Sequence, residues 1–230
     1  MSIRARIEAS GARAHERLSS LVVRPLFWFA VVVVLHVAAL SNALRFELPE
    51  PLPVIAQLDD FQLTDQYGSP FGSEQLKGKV WVANFIFTRC PTVCPAFTAK
   101  MGQVQRRTGG LAPHLHLVSF SVDPEFDTPE RLADYARKAG ASKTIWRFLT
   151  GPLGSVKDVV SGGLKSMMGN DAPDGDFEGI FHGSHFVVID RDMQIRGFYD
   201  ANDVDAVDNV VQALGLIQSL DSLGLSAGAS

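Results

Sequence analysis

Cysteine is scarce in this chain, which carries only two among its 230 residues. A small scaffold held together by disulfides needs several cysteine pairs, so that class of protein is excluded, and the two cysteines are better interpreted as a functional site. Basic runs are missing from the globular part and the net charge is −4, so the sequence gives no support for nucleic-acid binding. The chain also lacks internal repeats and low-complexity runs, and its hydrophobic content of 46% excludes a disordered protein.

The two cysteines, Cys90 and Cys94, directly follow an apolar run that extends from Val80 to Phe87. The run is rich in β-branched and aromatic residues, which predicts a buried strand. After Cys94 the apolar residues recur at helical spacing, at Phe97, Met101 and Val104. The cysteines therefore lie where a central strand passes into the N-terminus of a helix. The positive end of the helix dipole, together with the charge of Arg89, is expected to favour the thiolate form.

The spacing of the two cysteines, with three residues between them, allows two kinds of chemistry. If the chain coils as one helical turn from Cys90, positions i and i+4 share a face and the two sulfur atoms converge. Convergent thiols can close a disulfide or bind a soft metal ion. A disulfide that only stabilises the fold is disfavoured, because such a short loop gains little loop-closure entropy.

An uncharged stretch lies near the N-terminus, at residues 25–44, where His36 is the only side chain that can carry a charge. Because about 20 uncharged residues can cross a bilayer, we predict a transmembrane helix at 25–44. Five arginines precede this stretch, so residues 1–24 are predicted to be a cytoplasmic basic segment. The same rule sends residues 46–230 outside the cytoplasm. The predicted location is a cell inner membrane, crossed once, with the C-terminal domain in the periplasm.

Two alternatives to a retained anchor remain open. A signal peptide would be cleaved near Ser41-Asn42-Ala43, although its N-terminal region would be unusually long. An address to mitochondria, with the domain at the mitochondrial inner membrane, would also be rich in arginine, but Glu8 and Glu16 count against it. We therefore favour a retained membrane anchor.

The rest of the chain is predicted to form one domain behind a linker. Residues 45–57 contain three prolines and are interpreted as an extended linker, and residues 218–230 are predicted to be a flexible tail. Residues 58–217 alternate strand and helix patterns and end in a hairpin and a helix, which predicts an α/β sandwich. Other elements are predicted as a hairpin with its turn at 65–69, strands at 115–122, 146–149, 186–190 and 194–199, and helices at 129–140, 153–160 and 203–216.

Few histidines are available to complete a site with the two cysteines. His182 and His185 precede or open the strand at 186–190. A loop that enters a strand next to the central one could meet the N-terminus of the first helix. His114 and His116 alternate along another strand and are expected to form a solvent-facing pair.

Several short motifs occur together in residues 57–217. They are Phe87-Thr88-Arg89-Cys90-Pro91-Thr92-Val93-Cys94-Pro95, Asp123-Pro124-Glu125-Phe126-Asp127-Thr128-Pro129, His182 five residues before Val187-Val188-Ile189-Asp190, Phe61-x-Leu63-x-Asp65-x-x-Gly68 and Leu76-x-Gly78-Lys79. Together they resemble the SCO/SenC family, thioredoxin-like copper proteins that serve cytochrome c oxidase assembly. The resemblance implies a thioredoxin-like sandwich with a central mixed sheet.

The resemblance also implies that Cys90, Cys94 and His182 bind a copper ion, as Cu(I) or Cu(II). Two thiolates and one imidazole form a ligand set that suits copper. A structural zinc site would need a fourth protein ligand.

Other side chains near the implied site have open roles. His185 competes with His182 for the ligand role, and the strand register together with the spacing in the family favours His182. Asp123 follows the neighbouring strand and either orients a ligand or forms a turn before a proline. Met167 and Met168 are soft enough to contact Cu(I) but are interpreted as packing residues.

The function implied by the resemblance is delivery of copper to the copper-bearing subunit of a respiratory cytochrome c oxidase, or reduction of the cysteines of its binuclear copper centre. An upstream protein would donate the copper. The alternative is an enzyme, a thiol–disulfide oxidoreductase or a thiol peroxidase, that uses Cys90 and Cys94 as a redox disulfide pair with His182 as an acid or base. A third interpretation is a redox-sensing interaction domain.

The cysteine spacing favours the metallochaperone over the enzyme. Redox thioredoxins use C-x-x-C and place a proline just before the facing strand. Here three residues separate the cysteines, and Gly183-Ser184-His185 precedes that strand.

Overall fold

The computed structural model describes residues 25–43, 50–90, 93–111, 114–164 and 184–222. The chain divides into two compact units, residues 1–49 and residues 50–230. Met167 and Met168, which are interpreted from the sequence as packing residues, lie outside the described residues, as do residues 223–230 of the predicted tail.

In the first unit the structure describes one helix, α1 (Pro25–Ala43), which falls within the predicted transmembrane segment. Many of its large apolar side chains are exposed, among them Leu26, Phe29, Val34 and Leu35. Across the described part of the chain, the structure contains no helix with both the length and the apolar character that crossing a membrane requires. The predicted transmembrane helix is therefore not confirmed.

The second unit is built on one mixed sheet of eight strands. In chain order they are β1 (Ala56–Gln57), β2 (Gln62–Asp65), β3 (Pro70–Gly72), β4 (Val80–Ile86), β5 (Leu115–Ser121), β6 (Trp146–Thr150), β7 (His185–Ile189) and β8 (Gln194–Asp200). Their order across the sheet is β1-β8-β7-β4-β5-β6-β2-β3. The predicted strands are confirmed, and β1 adds a short edge strand within the stretch that the sequence suggests as a linker.

Helices cover this sheet in the described part of the second unit. They are α2 (Ser73–Leu76), α3 (Val93–Arg107), α4 (Pro129–Lys138), α5 (Leu153–Lys157) and α6 (Ala206–Ser222). α5 continues into a π-helical turn at Asp158–Gly163. α4 begins at Pro129, as the sequence predicts. The Thr128 hydroxyl caps it by accepting a hydrogen bond from the Arg131 N–H.

The direction of the strands around β4 decides where the cysteines lie. All of β4 is buried, and it pairs in parallel with β5 and antiparallel with β7. The carboxyl ends of β4 and β5 therefore meet the beginning of β7 at one edge of the sheet. The loop that carries Cys90 leaves the sheet at this edge.

The side chains of β4 alternate between two apolar clusters on opposite faces of the sheet. Val82 and Ile86 pack with Phe97 and Met101 of α3 in one cluster. The other cluster contains Trp81, Ala83, Phe85 and Phe87 of the β4 segment, together with both cysteines. The cysteines are therefore in contact with the core at the end of the central strand.

Candidate metal centre

The two cysteines are brought together by the turn that joins β4 to α3. The Cys90 N–H donates a hydrogen bond to the Phe87 carbonyl at 3.2 Å, which folds the chain back after the strand. The Cys94 N–H lies 3.4 Å from Cys90 Sγ. Both side chains are buried, with 8% of Cys90 and none of Cys94 exposed, and both are thiols. The structure therefore places both cysteines at the N-terminus of α3, as the sequence predicts.

The electrostatic prediction for these thiols is wrong for Cys94. Burial raises the pKa of Cys94 to about 12, and the hydrogen bond and charge of Cys90 raise it further. A backbone hydrogen bond at Phe87 lowers the pKa but does not offset the loss of solvation. Cys94 is therefore a neutral thiol at physiological pH, because the cost of burying a thiolate exceeds the benefit of the helix dipole.

Arg89 forms an ion pair with the carboxylate of Asp123. Arg89 Nε lies 2.5 Å from Asp123 Oδ2, and its guanidinium stacks 4.9 Å from the centroid of the Phe126 ring. The Asp123 carbonyl also accepts hydrogen bonds from the N–H groups of Phe126 and Asp127. Asp123 therefore forms a turn and also binds the residue that precedes Cys90.

Asp127 is a site residue that the sequence analysis missed. Its buried carboxylate accepts hydrogen bonds from the Thr88 N–H at 3.1 Å, the Thr88 hydroxyl at 2.5 Å and the Ser121 hydroxyl at 2.6 Å. Burial raises the pKa of Asp127, and its hydrogen bonds oppose that shift. In the sequence Asp127 appears only as part of a motif, and nothing local links position 127 to position 88. The contact follows from the parallel pairing of β4 and β5.

The histidines divide between described and undescribed parts of the chain. His182, the predicted third ligand, lies outside the described residues. His185 begins β7 opposite Asp200 of β8 and is partly buried. It lies on the same face of β7 as Val187 and Ile189, whose side chains belong to the cluster that contains both cysteines.

The expectation of a solvent-facing pair at 114 and 116 is wrong for His116. His114 is exposed, but His116 is buried, with Nε2 3.0 Å from Lys79 Nζ. Burial, together with the charge of Lys79, lowers the pKa of His116 to about 4. It is therefore a neutral core histidine, distant in the sheet from the cysteine edge because it lies near the start of β5.

A complete ligand set is not visible in the described residues. Among them, no group of three or more histidine, cysteine, aspartate or glutamate side chains is arranged to hold a metal ion. The structure brings Cys90 and Cys94 together and places Asp123 and Asp127 on the loop next to them. The two sulfur atoms can therefore provide two soft ligands to a metal ion.

The fold and the thiol pair define a class of protein. A mixed sheet whose central strand passes into a helix with two cysteines at its N-terminus is a thioredoxin-like thiol domain. More particularly, the chain belongs to the SCO1/SenC family, whose sequence profile matches residues 54–215. The resemblance and the fold that it implies are both confirmed.

Three known proteins illustrate the similarity. The SCO1 protein homolog of Bacillus subtilis is 32% identical over 160 residues, which cover 69% of this chain and 81% of that protein. The structure of BsSco, described as a member of the Sco family of cytochrome c oxidase assembly proteins with a disulfide switch, is 31% identical, with a TM-score of 0.61 and coverage of 73% and 98% of the two chains. The copper-bound structure of Bradyrhizobium japonicum ScoI is 27% identical, with a TM-score of 0.56 and coverage of 69% and 100%.

Proposed function

We propose that this protein binds one copper ion through Cys90, Cys94 and His182 and delivers it to the copper-bearing subunit of a respiratory cytochrome c oxidase. The observation that carries the proposal is the buried thiol pair at the β4–α3 junction of a SCO1/SenC chain. Copper-bound ScoI is among the related structures, which supports copper as the metal. An upstream protein supplies the ion.

The position of β7 supports His182 as the third ligand. β7 runs antiparallel to β4 with Ala83 opposite Val187, so the start of β7 lies beside the end of β4. His182 is two residues before Ser184, and two residues of extended chain span at most about 7 Å. We therefore favour His182 as the third ligand, because only two residues separate it in the sequence from the start of β7.

The donor set also favours copper on chemical grounds. Two sulfur ligands and one imidazole suit a soft or intermediate ion, and three ligands leave room for the acceptor to bind during transfer. Cys94 must lose its proton when it binds copper. Asp123 forms an ion pair with Arg89, which precedes Cys90, and acts on the site through Arg89 and not as a ligand of the metal.

The test is the copper stoichiometry of the purified full-length protein after reduction. We expect one equivalent of copper with a thiolate-to-copper absorption band, and loss of both in Cys90→Ser, Cys94→Ser and His182→Ala. His185→Ala is the matched control and is expected to retain the ion. If the reduced protein ignores copper but rapidly reduces disulfides, the delivery function is wrong.

A thiol–disulfide oxidoreductase or thiol peroxidase is the second candidate, favoured by the proximity of Cys94 N–H to Cys90 Sγ. The related BsSco is described with a disulfide switch, so oxidation of the pair is a natural route to release or block the metal. The raised pKa of Cys94 disfavours it as the attacking thiolate. We therefore propose copper binding and delivery as the main role of Cys90 and Cys94. Reduction of the cysteines of the oxidase copper centre is the secondary role.

We further propose that residues 25–44 attach the protein to the cell inner membrane and that the domain lies in the periplasm. The uncharged sequence and the exposed apolar side chains of α1 support this attachment. A reporter enzyme fused after Ser230 is expected to be active only outside the cytoplasm. Activity of the fusion in the cytoplasm would exclude this topology.

A further inference from the structure

A groove separates α3 from α4 on the surface of the domain. Its volume is about 390 Å³. Thr98 and Gly102 are buried at its base, and the exposed side chains of Arg106 and Lys138 lie at its rim. The structure therefore offers a concave surface that the copper site itself does not use.

The groove leads to the cysteine pair. Its residues on α3 form one stripe that begins at Pro95, the residue after Cys94, and ends at Arg106. At 1.5 Å per residue, this stripe is about 16 Å long. A segment of four or five extended residues, at about 3.3 Å each, would fill it and reach the start of the helix that carries Cys94.

The charge of the groove is opposite in sign to that of the whole chain. Arg106 and Lys138 line it, and no carboxylate is among its lining residues, although the net charge of the protein is −4. The neighbouring Arg107 and Arg137 each bind an aspartate on the surface. Arg106 and Lys138 have no ion pair among the described residues. Two cationic groups are therefore available to a negatively charged ligand.

Gly102 gives an independent indication that the depth of the groove matters. It lies in the interior of α3, where glycine weakens a helix by about 0.5–1 kcal/mol relative to alanine. A β-carbon at this position would approach no atom closer than 3.5 Å, and that atom is the Arg106 guanidinium nitrogen Nη1. Packing therefore does not require glycine here. Its absent side chain leaves a gap of about one methyl group between α3 and the Arg106 guanidinium.

We propose that the groove binds an acidic segment of the protein that receives the copper. This inference rests on the proposed delivery function. Two carboxylates of the segment pair with Arg106 and Lys138, and small side chains enter the space above Gly102. Docking along α3 brings the receiving protein next to Cys94, so the groove orients the partner before the ion is transferred.

The test compares transfer of copper from the full-length protein to the apo form of the copper-bearing oxidase subunit. The variant Arg106→Gln/Lys138→Gln removes the charges of the groove, and Lys143→Gln/Lys157→Gln removes the same charge elsewhere. We expect all three proteins to bind one equivalent of copper. We expect the groove variant to transfer it about tenfold more slowly at low salt, with the difference shrinking at high salt because salt screens steering charges.

A second variant tests the shape of the groove without changing its charge. Gly102→Leu fills the space beneath Arg106 and is expected to slow transfer several-fold at both salt concentrations, with copper binding unchanged. Transfer at the wild-type rate by both groove variants would overturn the docking proposal and leave delivery intact. Failure of the copper-loaded wild-type protein to transfer would instead refute delivery, and with it the role of the groove. The same variants are also compared with the wild-type protein for binding to anionic vesicles. If they bind the vesicles less well but transfer copper at the wild-type rate, the groove binds lipid and the docking proposal is overturned.

Discussion

Asp127 shows how one buried carboxylate can hold a functional loop. It accepts hydrogen bonds from the N–H and the hydroxyl of Thr88 and from the hydroxyl of Ser121, and thereby ties the chain before Cys90 to the end of β5. The next residue after Thr88 is Arg89, which forms an ion pair with Asp123. Two aspartates from one loop therefore fix both residues that precede Cys90.

Removal of this carboxylate is expected to destabilise the protein and to weaken copper binding. Asp127→Ala leaves the N–H and hydroxyl of Thr88 and the hydroxyl of Ser121 without their acceptor. Because an unsatisfied buried polar group costs about 1–3 kcal/mol, we expect the free energy of unfolding to fall by about 3 kcal/mol. Urea denaturation of the full-length protein measures this loss.

The control is Asp134→Ala, since Asp134 forms an exposed ion pair with Arg137 and its loss should cost at most about 1 kcal/mol. Equal losses in the two variants would contradict the role of Asp127.

His116 is expected to make the fold sensitive to acid. Its pKa is lowered from 6.5 to about 4 in the folded protein. Between these values the unfolded chain binds a proton that the folded protein does not, so stability is lost as the pH falls from 6.5 towards 4. We expect the free energy of unfolding to decrease through this group by about 2 kcal/mol between pH 7 and pH 5.

Two histidine variants separate this effect from the titration of other groups. His116→Gln removes the buried imidazole and should flatten the dependence of unfolding on pH in this range. His114→Gln changes an exposed histidine two positions away and should leave the dependence as it is. An unchanged slope in the His116 variant would show that another group causes the acid sensitivity.

At the scale of elements, a chain of polar contacts crosses three central strands. Ser119 of β5 donates to Asn84 Oδ1 of β4 at 2.6 Å and accepts from Trp146 Nε1 of β6 at 2.9 Å. All three side chains are buried. Because these bonds require the pairing of β4, β5 and β6 in their observed register, they favour that register over a shifted one.

Loss of the Ser119 hydroxyl is expected to weaken this part of the sheet. Ser119→Ala leaves the buried indole N–H of Trp146 and the amide oxygen of Asn84 without partners, which should cost about 3 kcal/mol. Ser219→Ala is the control, because the Ser219 hydroxyl is exposed on α6 and donates to the Leu216 carbonyl of the same helix. Chemical denaturation of both variants measures the difference. A loss below about 1 kcal/mol in Ser119→Ala would mean that the contacts add little stability.

The elements that local sequence determines were predicted, whereas contacts between distant segments were not. The apolar run of β4 and the helical spacing of Phe97, Met101 and Val104 are local patterns, and both elements were found. The burial of His116 depends on Lys79 and the ring of Phe71, which come from other segments. The high pKa of Cys94 likewise results from the core that closes around it. Periodicity reports which residues are apolar along one element, but it does not report which elements meet.

At the scale of the whole molecule, the proposed copper site joins parts of the chain that are far apart in sequence. Cys90 and Cys94 lie at the start of α3, and His182 precedes β7, the strand on the other side of β4 from β5. A ligand that binds only the folded protein stabilises it by mass action. Copper that bridges these segments should therefore oppose unfolding of the entire domain.

Copper loading is accordingly expected to raise the melting temperature, and to do so more at higher pH. At a copper concentration about 100-fold above the Kd, the gain is about 2.7 kcal/mol, which corresponds to roughly 5–10 °C for a domain of this size. Because Cys94 is protonated until the metal binds, each proton released increases the apparent affinity up to about tenfold per pH unit. Calorimetry of the full-length protein with and without copper at pH 6, 7 and 8 measures both effects. The Cys90→Ser/Cys94→Ser and His182→Ala variants, which are expected to lose the ion, should show no copper-dependent shift. A full shift in the double cysteine variant would place the stabilising copper elsewhere, and a shift that declines with pH would contradict binding through a protonated Cys94.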